Sequence, residues 1–243
     1  MKSQISFFKF FLAFLLVEPA RLITGQDSTN EQVILLHGLS RTARSMDKLK
    51  AHLEKKNFQV YNLNYPSRKF KIEILSEMVW EQIQELDLPK STNKIHFVTH
   101  SMGGILVRQM LKSHELLTLG RVVMLSPPNK GSEIVDKLGG NPLFEMINGP
   151  ASIQLGTHSQ GFVSKLGKVE FDLGVITGDR SINLYLSSLI PGKDDGKVSV
   201  KRAKIEGMKD FFLCPVAHPF IMNDQNVLRQ TEAFLLHGKF QRP

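Results

Sequence analysis

A chain of 243 residues can bury one sizeable core, and 42% hydrophobic with 22% charged residues is a globular composition that excludes disorder and coiled coil. The formal charge of +8 at pH 7 raises nucleic acid as a partner. Its lysines and arginines are scattered, with no interleaved aromatics and no zinc-ligand spacing, which argues against that class and leaves plain solubility or an anionic lipid surface.

Residues 1–25 read as a targeting segment. Lys2 and Lys9 precede the apolar run Phe10–Val17, the order of a signal peptide's basic and hydrophobic regions. Glu18 interrupts and no small-x-small pair follows cleanly. An N-terminal membrane anchor and an amphipathic first helix therefore stay open beside a cleaved leader. A cleaved leader or an anchor predicts an exported or membrane-associated protein, periplasmic or secreted in a bacterium, whereas the amphipathic first helix belongs to a soluble one. No run reaches the roughly 20 apolar residues that span a bilayer core.

From Val33 onward, short β-rich runs alternate with helical periodicity, which predicts a mostly parallel α/β sheet of about six strands with flanking helices. The strands are expected at Val33–Leu36, Gln59–Leu63, Ile95–Thr99, Arg121–Ser126, Phe171–Thr177 and Phe211–Val216. Met46, Leu49 and Leu53 share one helical face, and Ile72, Leu75, Val79 and Ile83 share another. A last helix carries Val227, Leu228, Phe234 and Leu235. Residues 127–170 are long for a crossover and hold the apolar pieces Leu143–Ile147 and Ile153–Leu155 among Gly and Asn. They predict a small cap, with a decorated crossover helix as the alternative. No linker or repeat divides residues 31–240, which read as one domain. The single cysteine, Cys214, lies in an apolar run and predicts a buried, inert thiol.

The chemistry concentrates where the third strand runs into His100-Ser101-Met102-Gly103-Gly104 and then a helical pattern. A serine at a sharp strand-to-helix turn exposes its hydroxyl above the sheet, and the small neighbours let strand and helix backbones pass closely. The usual pattern is G-x-S-x-G; here its first position is Thr99, a β-branched departure. A serine that only caps the helix is the alternative. Earlier, the first strand ends in His37-Gly38-Leu39. There Gly38 is expected to let the loop turn so that the Leu39 N–H, with the Met102 N–H, forms an oxyanion hole. His37 is expected to be a structural hydrogen-bonder.

Together His37-Gly38, Thr99-His-Ser-Met-Gly103, a later Asp-Gly and a late His resemble the α/β-hydrolase superfamily. Within it, the chain most resembles small bacterial lipases and esterases and the related GPI-inositol-deacylase-like hydrolases, and its segments 37–41, 126–132, 192–199 and 218–222 look like those of bacterial members. The resemblance covers about residues 31–240. It implies a minimal α/β-hydrolase fold and ester hydrolysis, and it speaks only weakly to substrate.

Of the eight histidines, only His218 follows a strand lying beyond the candidate acid, which gives the order Ser, Asp, His of this fold. The acid is expected after the penultimate strand, where Asp179, Asp194 and Asp195 compete. Asp195, followed by Gly196 and Val198, resembles the acid loops of related hydrolases; Asp194 is expected to be solvated and Asp179 to pair with Arg180. The expected catalytic set is Ser101, Asp195 and His218, needing neither metal nor organic cofactor. The substrate is a small-molecule or lipid ester. A thioesterase or acyltransferase using the same triad, and a non-catalytic binding protein on the same scaffold, are the rival readings.

Overall fold

The computed structural model describes residues 31–86 and 94–242. The expected leader, residues 1–25, lies outside the described residues. A single six-stranded sheet organises the rest, in the order β2-β1-β3-β4-β5-β6. Its strands are β1 (Gln32–Leu36), β2 (Gln59–Leu63), β3 (Ile95–His100), β4 (Leu119–Leu125), β5 (Leu173–Gly178) and β6 (Asp210–Cys214). Every neighbouring pair is parallel, so the sheet is more uniform than the mostly parallel one expected from sequence. The last three strands also start or end one or two residues from their expected limits. There the residue pattern runs past the hydrogen-bonded ladder, whose ends need not coincide with it.

Parallel strands need long crossovers, and here helices supply them on both faces. In chain order they are α1 (Asp47–Glu54), α2 (Ile72–Glu85), α3 (Met102–Ser113), α4 (Glu133–Leu138), α5 (Pro142–Asn148), α6 (Pro150–Ile153), α7 (Phe162–Lys165), α8 (Leu184–Ser188), α9 (Val200–Ala203) and α10 (Gln225–His237). Strand β1 shows why its sequence is apolar throughout. Ile34 and Leu36 pack with Ile72, Leu75 and Ile105 of α2 and α3. Val33 and Leu35 point the other way, into Leu49, Leu53 and Leu228 of α1 and α10. A period-2 strand buried on both faces reads as a continuous hydrophobic run.

Residues 127–170 form not one crossover helix but four short ones, α4 to α7. Cys214 is buried, and burial pushes its thiol up to about 12, so it is inert near neutrality. No helix among the described residues is long and apolar enough to cross a membrane.

The strand order determines where a site can lie. The chain steps from β1 to β2 on one side, then returns to place β3 on the other side of β1. Loops leaving β1 and β3 therefore diverge and open a crevice at the carboxyl ends of the strands. His37-Gly38-Leu39 and Ser101 occupy those two loops.

Candidate active site

Ser101 sits at φ 52°, ψ −121°, between the last residue of β3 and the first of α3. A non-glycine residue with positive φ costs of order 1–3 kcal/mol and persists only where its surroundings hold it. Here the Ser101 N–H donates to Leu125 O at the end of β4, 2.8 Å away. The following turn passes so near β1 that a Cβ on Gly103 would lie 2.7 Å from Leu36 O and 2.8 Å from His37 O. Glycine is required there by the close approach of two backbones. Thr99, the departure from the usual pattern, keeps strand geometry and is fully buried.

The loop after β1 differs in detail from expectation. Gly38 is not a positive-φ turn residue; the left-handed residue is Ser40, at φ 56°. Gly38 is small because a Cβ would meet His100 Nδ1 at 2.8 Å and Ser101 Cβ at 3.1 Å. His37 is buried, stacks on Tyr65 with centroids 4.1 Å apart, and hydrogen-bonds through Nδ1 to Gly38 O. Burial holds it below the usual histidine range, and the Tyr65 hydroxyl donates to its carbonyl. It is a strut for the loop. Among the described residues, the Leu39 and Met102 N–H groups have no acceptor within the protein.

His218 begins the 3-10 turn His218–Asn223 that follows β6, and its backbone N–H donates to Asp195 O at 2.9 Å. Its Nε2 lies 3.0 Å from Ser101 Oγ, and its Nδ1 lies 2.8 Å from Asp195 Oδ2. Asp195 is wholly buried, and Gly196, at φ 97°, turns the chain immediately after it. The other carboxylate oxygen, Oδ1, accepts the N–H groups of Lys197 (3.0 Å) and Val198 (2.9 Å). Burial works to raise this carboxyl's pKa. The adjoining His218 and the hydrogen bonds it receives outweigh that and hold it below the usual carboxylate value.

The two competing aspartates are elsewhere engaged. Asp179 meets Arg180 at 3.9 Å, as expected, and also Lys193 at 3.6 Å. Asp194 is not the solvated residue expected from sequence: it is buried, accepting from Ser187 Oγ at 2.6 Å and Gly196 N–H at 2.7 Å. It shapes the loop that presents Asp195.

Three residues join the site that sequence reasoning left out of it. His100 is buried beside the serine, donates from Nε2 to His218 O at 3.1 Å, and leaves Nδ1 without a partner. Burial, then the positive charge of neighbours including His218 and Arg41, keeps it well below the usual histidine range and hence neutral. Arg41 and Lys197 line the same cavity as Ser101 and His218. The cavity is about 310 Å³, and Ile134, Val135, Leu138, Phe144 and Leu155 of the segment 127–170 give it an apolar wall. Arg41 lies four residues beyond His37, and Lys197 two beyond Asp195. Proximity to those motifs was the available signal.

Residues 32–167, more than half of the chain, match the family model described as palmitoyl protein thioesterase. No curated protein matches in sequence. Among solved structures, the mature lipase BlEst2 of Bacillus licheniformis superposes with a TM-score of 0.64 at 17% identity, over 86% of this chain and 91% of that one. The metagenomic carboxyl esterase MGS0156 gives 0.65 at 17% identity, over 79% of this chain and 66% of that one. The phospholipase PlaB of Legionella pneumophila gives 0.60 at 20% identity, over 72% of this chain but only 44% of that one. At such identities these likenesses speak to the fold.

Proposed function

The chain belongs to the palmitoyl protein thioesterase family and is an ester-cleaving α/β hydrolase, and within that frame we propose that it is a serine esterase acting on lipid-like acyl esters through an acyl-enzyme. The observation that carries this reading is the continuous hydrogen-bonded chain Ser101 Oγ–His218 Nε2, His218 Nδ1–Asp195 Oδ2, at 3.0 and 2.8 Å. Ser101 attacks the acyl carbonyl while His218 takes its proton; His218 then returns the proton to the leaving alcohol. Asp195 orients the imidazole and stabilises its charged form. Charge developing on the carbonyl oxygen is met by the N–H groups of Leu39 and Met102. Water, deprotonated by His218, attacks the acyl-enzyme and releases the carboxylic acid and free Ser101.

The apolar wall of the 310 Å³ cavity supports an acyl chain as the part of the substrate held there. A thioester would react through the same groups, with a thiol leaving in place of an alcohol, and the matched family's description supports that second reading. Export or membrane association belongs to the same proposal, supported by the basic and apolar pattern of residues 1–25.

The test is fluorophosphonate labelling with turnover of an oxygen ester and a thioester carrying one common acyl chain. Wild-type protein is expected to label at Ser101 and to hydrolyse at least one of the pair, and Ser101→Ala to do neither. A Ser101→Ala protein retaining a tenth of wild-type hydrolysis would remove the serine from the mechanism. The faster member of the pair decides between the two leaving groups.

A further inference from the structure

Arg41 forms part of the wall between two cavities. On one side is the space above Ser101; on the other lies a more open depression of about 630 Å³ that also takes in Arg68, Lys69, Met146 and Ile147. No carboxylate lines this depression. Among the described residues none of its three cations has an ion-pair partner. The two arginines contact only backbone carbonyls: Arg41 reaches Pro219 O at 3.4 Å and Arg68 reaches Ile147 O at 3.3 Å. Each therefore keeps guanidinium donors free. Three cationic residues lining one depression without a carboxylate among them favour an anion with several acceptor oxygens.

The outer wall indicates what the anion is attached to. Met146 and Ile147 are 75% and 52% exposed, and they sit on α5, the helix whose Phe144 lines the catalytic cavity. Apolar surface thus runs from the acyl-binding wall to the rim of the cationic depression. A soluble phosphorylated ester would make no use of that surface, whereas a lipid would cover it.

We propose that the Arg41–Arg68–Lys69 depression is a subsite for the phosphodiester of a glycerophospholipid whose acyl ester lies at Ser101. This rests on the esterase reading and extends it from acyl esters in general to acyl esters bearing an anionic phosphoryl group. Arg41, shared by both cavities, sets the distance between the phosphate and the reacting carbonyl.

The experiment compares the double variant Arg68→Gln/Lys69→Gln with wild type on two substrates sharing a hexanoyl chain: monomeric dihexanoylphosphatidylglycerol and uncharged p-nitrophenyl hexanoate. The phospholipid is expected to lose about tenfold in kcat/KM, mostly through KM, while the uncharged ester is unchanged. Arg68→Lys, which keeps the charge, is expected to retain most phospholipid activity. Equal losses on both substrates, or no loss on the phospholipid, would overturn the subsite. A second arm needs no turnover: dihexanoylphosphatidylglycerol and inorganic phosphate are each titrated into Ser101→Ala protein by calorimetry, with and without the double substitution. Weakening of lipid binding by about tenfold supports the subsite even if the esterase reading has failed. Inorganic phosphate binding as tightly as the lipid would refute the lipid assignment.

Discussion

Replacing Asp195 by Asn separates the orienting role of the acid from its shape. The carboxylate accepts three hydrogen bonds: Oδ1 takes two backbone N–H groups, from Lys197 and Val198, and Oδ2 takes His218 Nδ1–H. An amide has one acceptor oxygen. Turning its NH2 toward the backbone would set it against two donors, so the oxygen stays there and the NH2 faces His218. His218 Nδ1 must then accept, which puts its proton on Nε2, the atom 3.0 Å from Ser101 Oγ. A base already protonated on that face cannot take the serine proton. The expected loss in kcat is on the order of a thousandfold or more, which at about 1.36 kcal/mol per decade is roughly 4 kcal/mol of transition-state stabilisation. The fold should survive, because both backbone bonds to the loop remain. Initial rates on p-nitrophenyl hexanoate, with circular dichroism as the folding control, measure this. Asp194→Asn, whose amide still suits Ser187 and Gly196, and Asp179→Asn should stay within about tenfold of wild type. Asp195→Asn within tenfold of wild type, or the large loss at Asp179 instead, would refute the reasoning.

Gly103→Ala places a methyl group against two backbone oxygens that cannot move aside. It should destabilise the chain by about 1–3 kcal/mol in urea unfolding, besides displacing Ser101; a change under about 0.5 kcal/mol would mean the elbow yields. Acid should weaken the fold well above the carboxylate range. His37, His96 and His100 are buried with pKa values lowered from 6.5, chiefly by burial, so below that pH the unfolded chain binds protons that the folded chain refuses. Their full contribution is present above pH 6.5 and falls away as pH drops toward each folded value. Unfolding free energies equal at pH 7 and pH 5 would contradict this. Finally, alkaline phosphatase fused after about residue 30 should be active outside the bacterial cytoplasm; strictly cytoplasmic fusion protein would instead favour a soluble first helix.

The inner strand β1 was legible because burial on both faces leaves an unbroken apolar run, Val33–Leu36; the edge strands β2 and β6, only partly buried, were legible from their β-branched and aromatic residues. The serine turn was legible because backbone crowding at Gly103 restricts the sequence itself. Asp195 could be singled out only through resemblance, since spacing by itself does not tell it from Asp194, which proved buried rather than solvated. Arg41, His100 and Lys197 could not be assigned to the cavity because their meeting depends on three loops converging. The helices of residues 127–170 run to at most seven residues. That is too short for a 3.6-residue period to stand out from chance.

The all-parallel sheet also constrains when the chain becomes competent as it folds. No neighbouring pair of strands can close through a tight hairpin, so every pairing waits on a crossover. Ser101 and His218 are 117 positions apart, and His218 is delivered by β6, which pairs only with β5 at the sheet's end. The Ser101 turn can form among β1, β3 and β4 while His218 is still unplaced. During refolding, helical signal should therefore recover before hydrolysis does. A chain stalled before β6 docks presents Ser101 without the imidazole that hydrogen-bonds its hydroxyl.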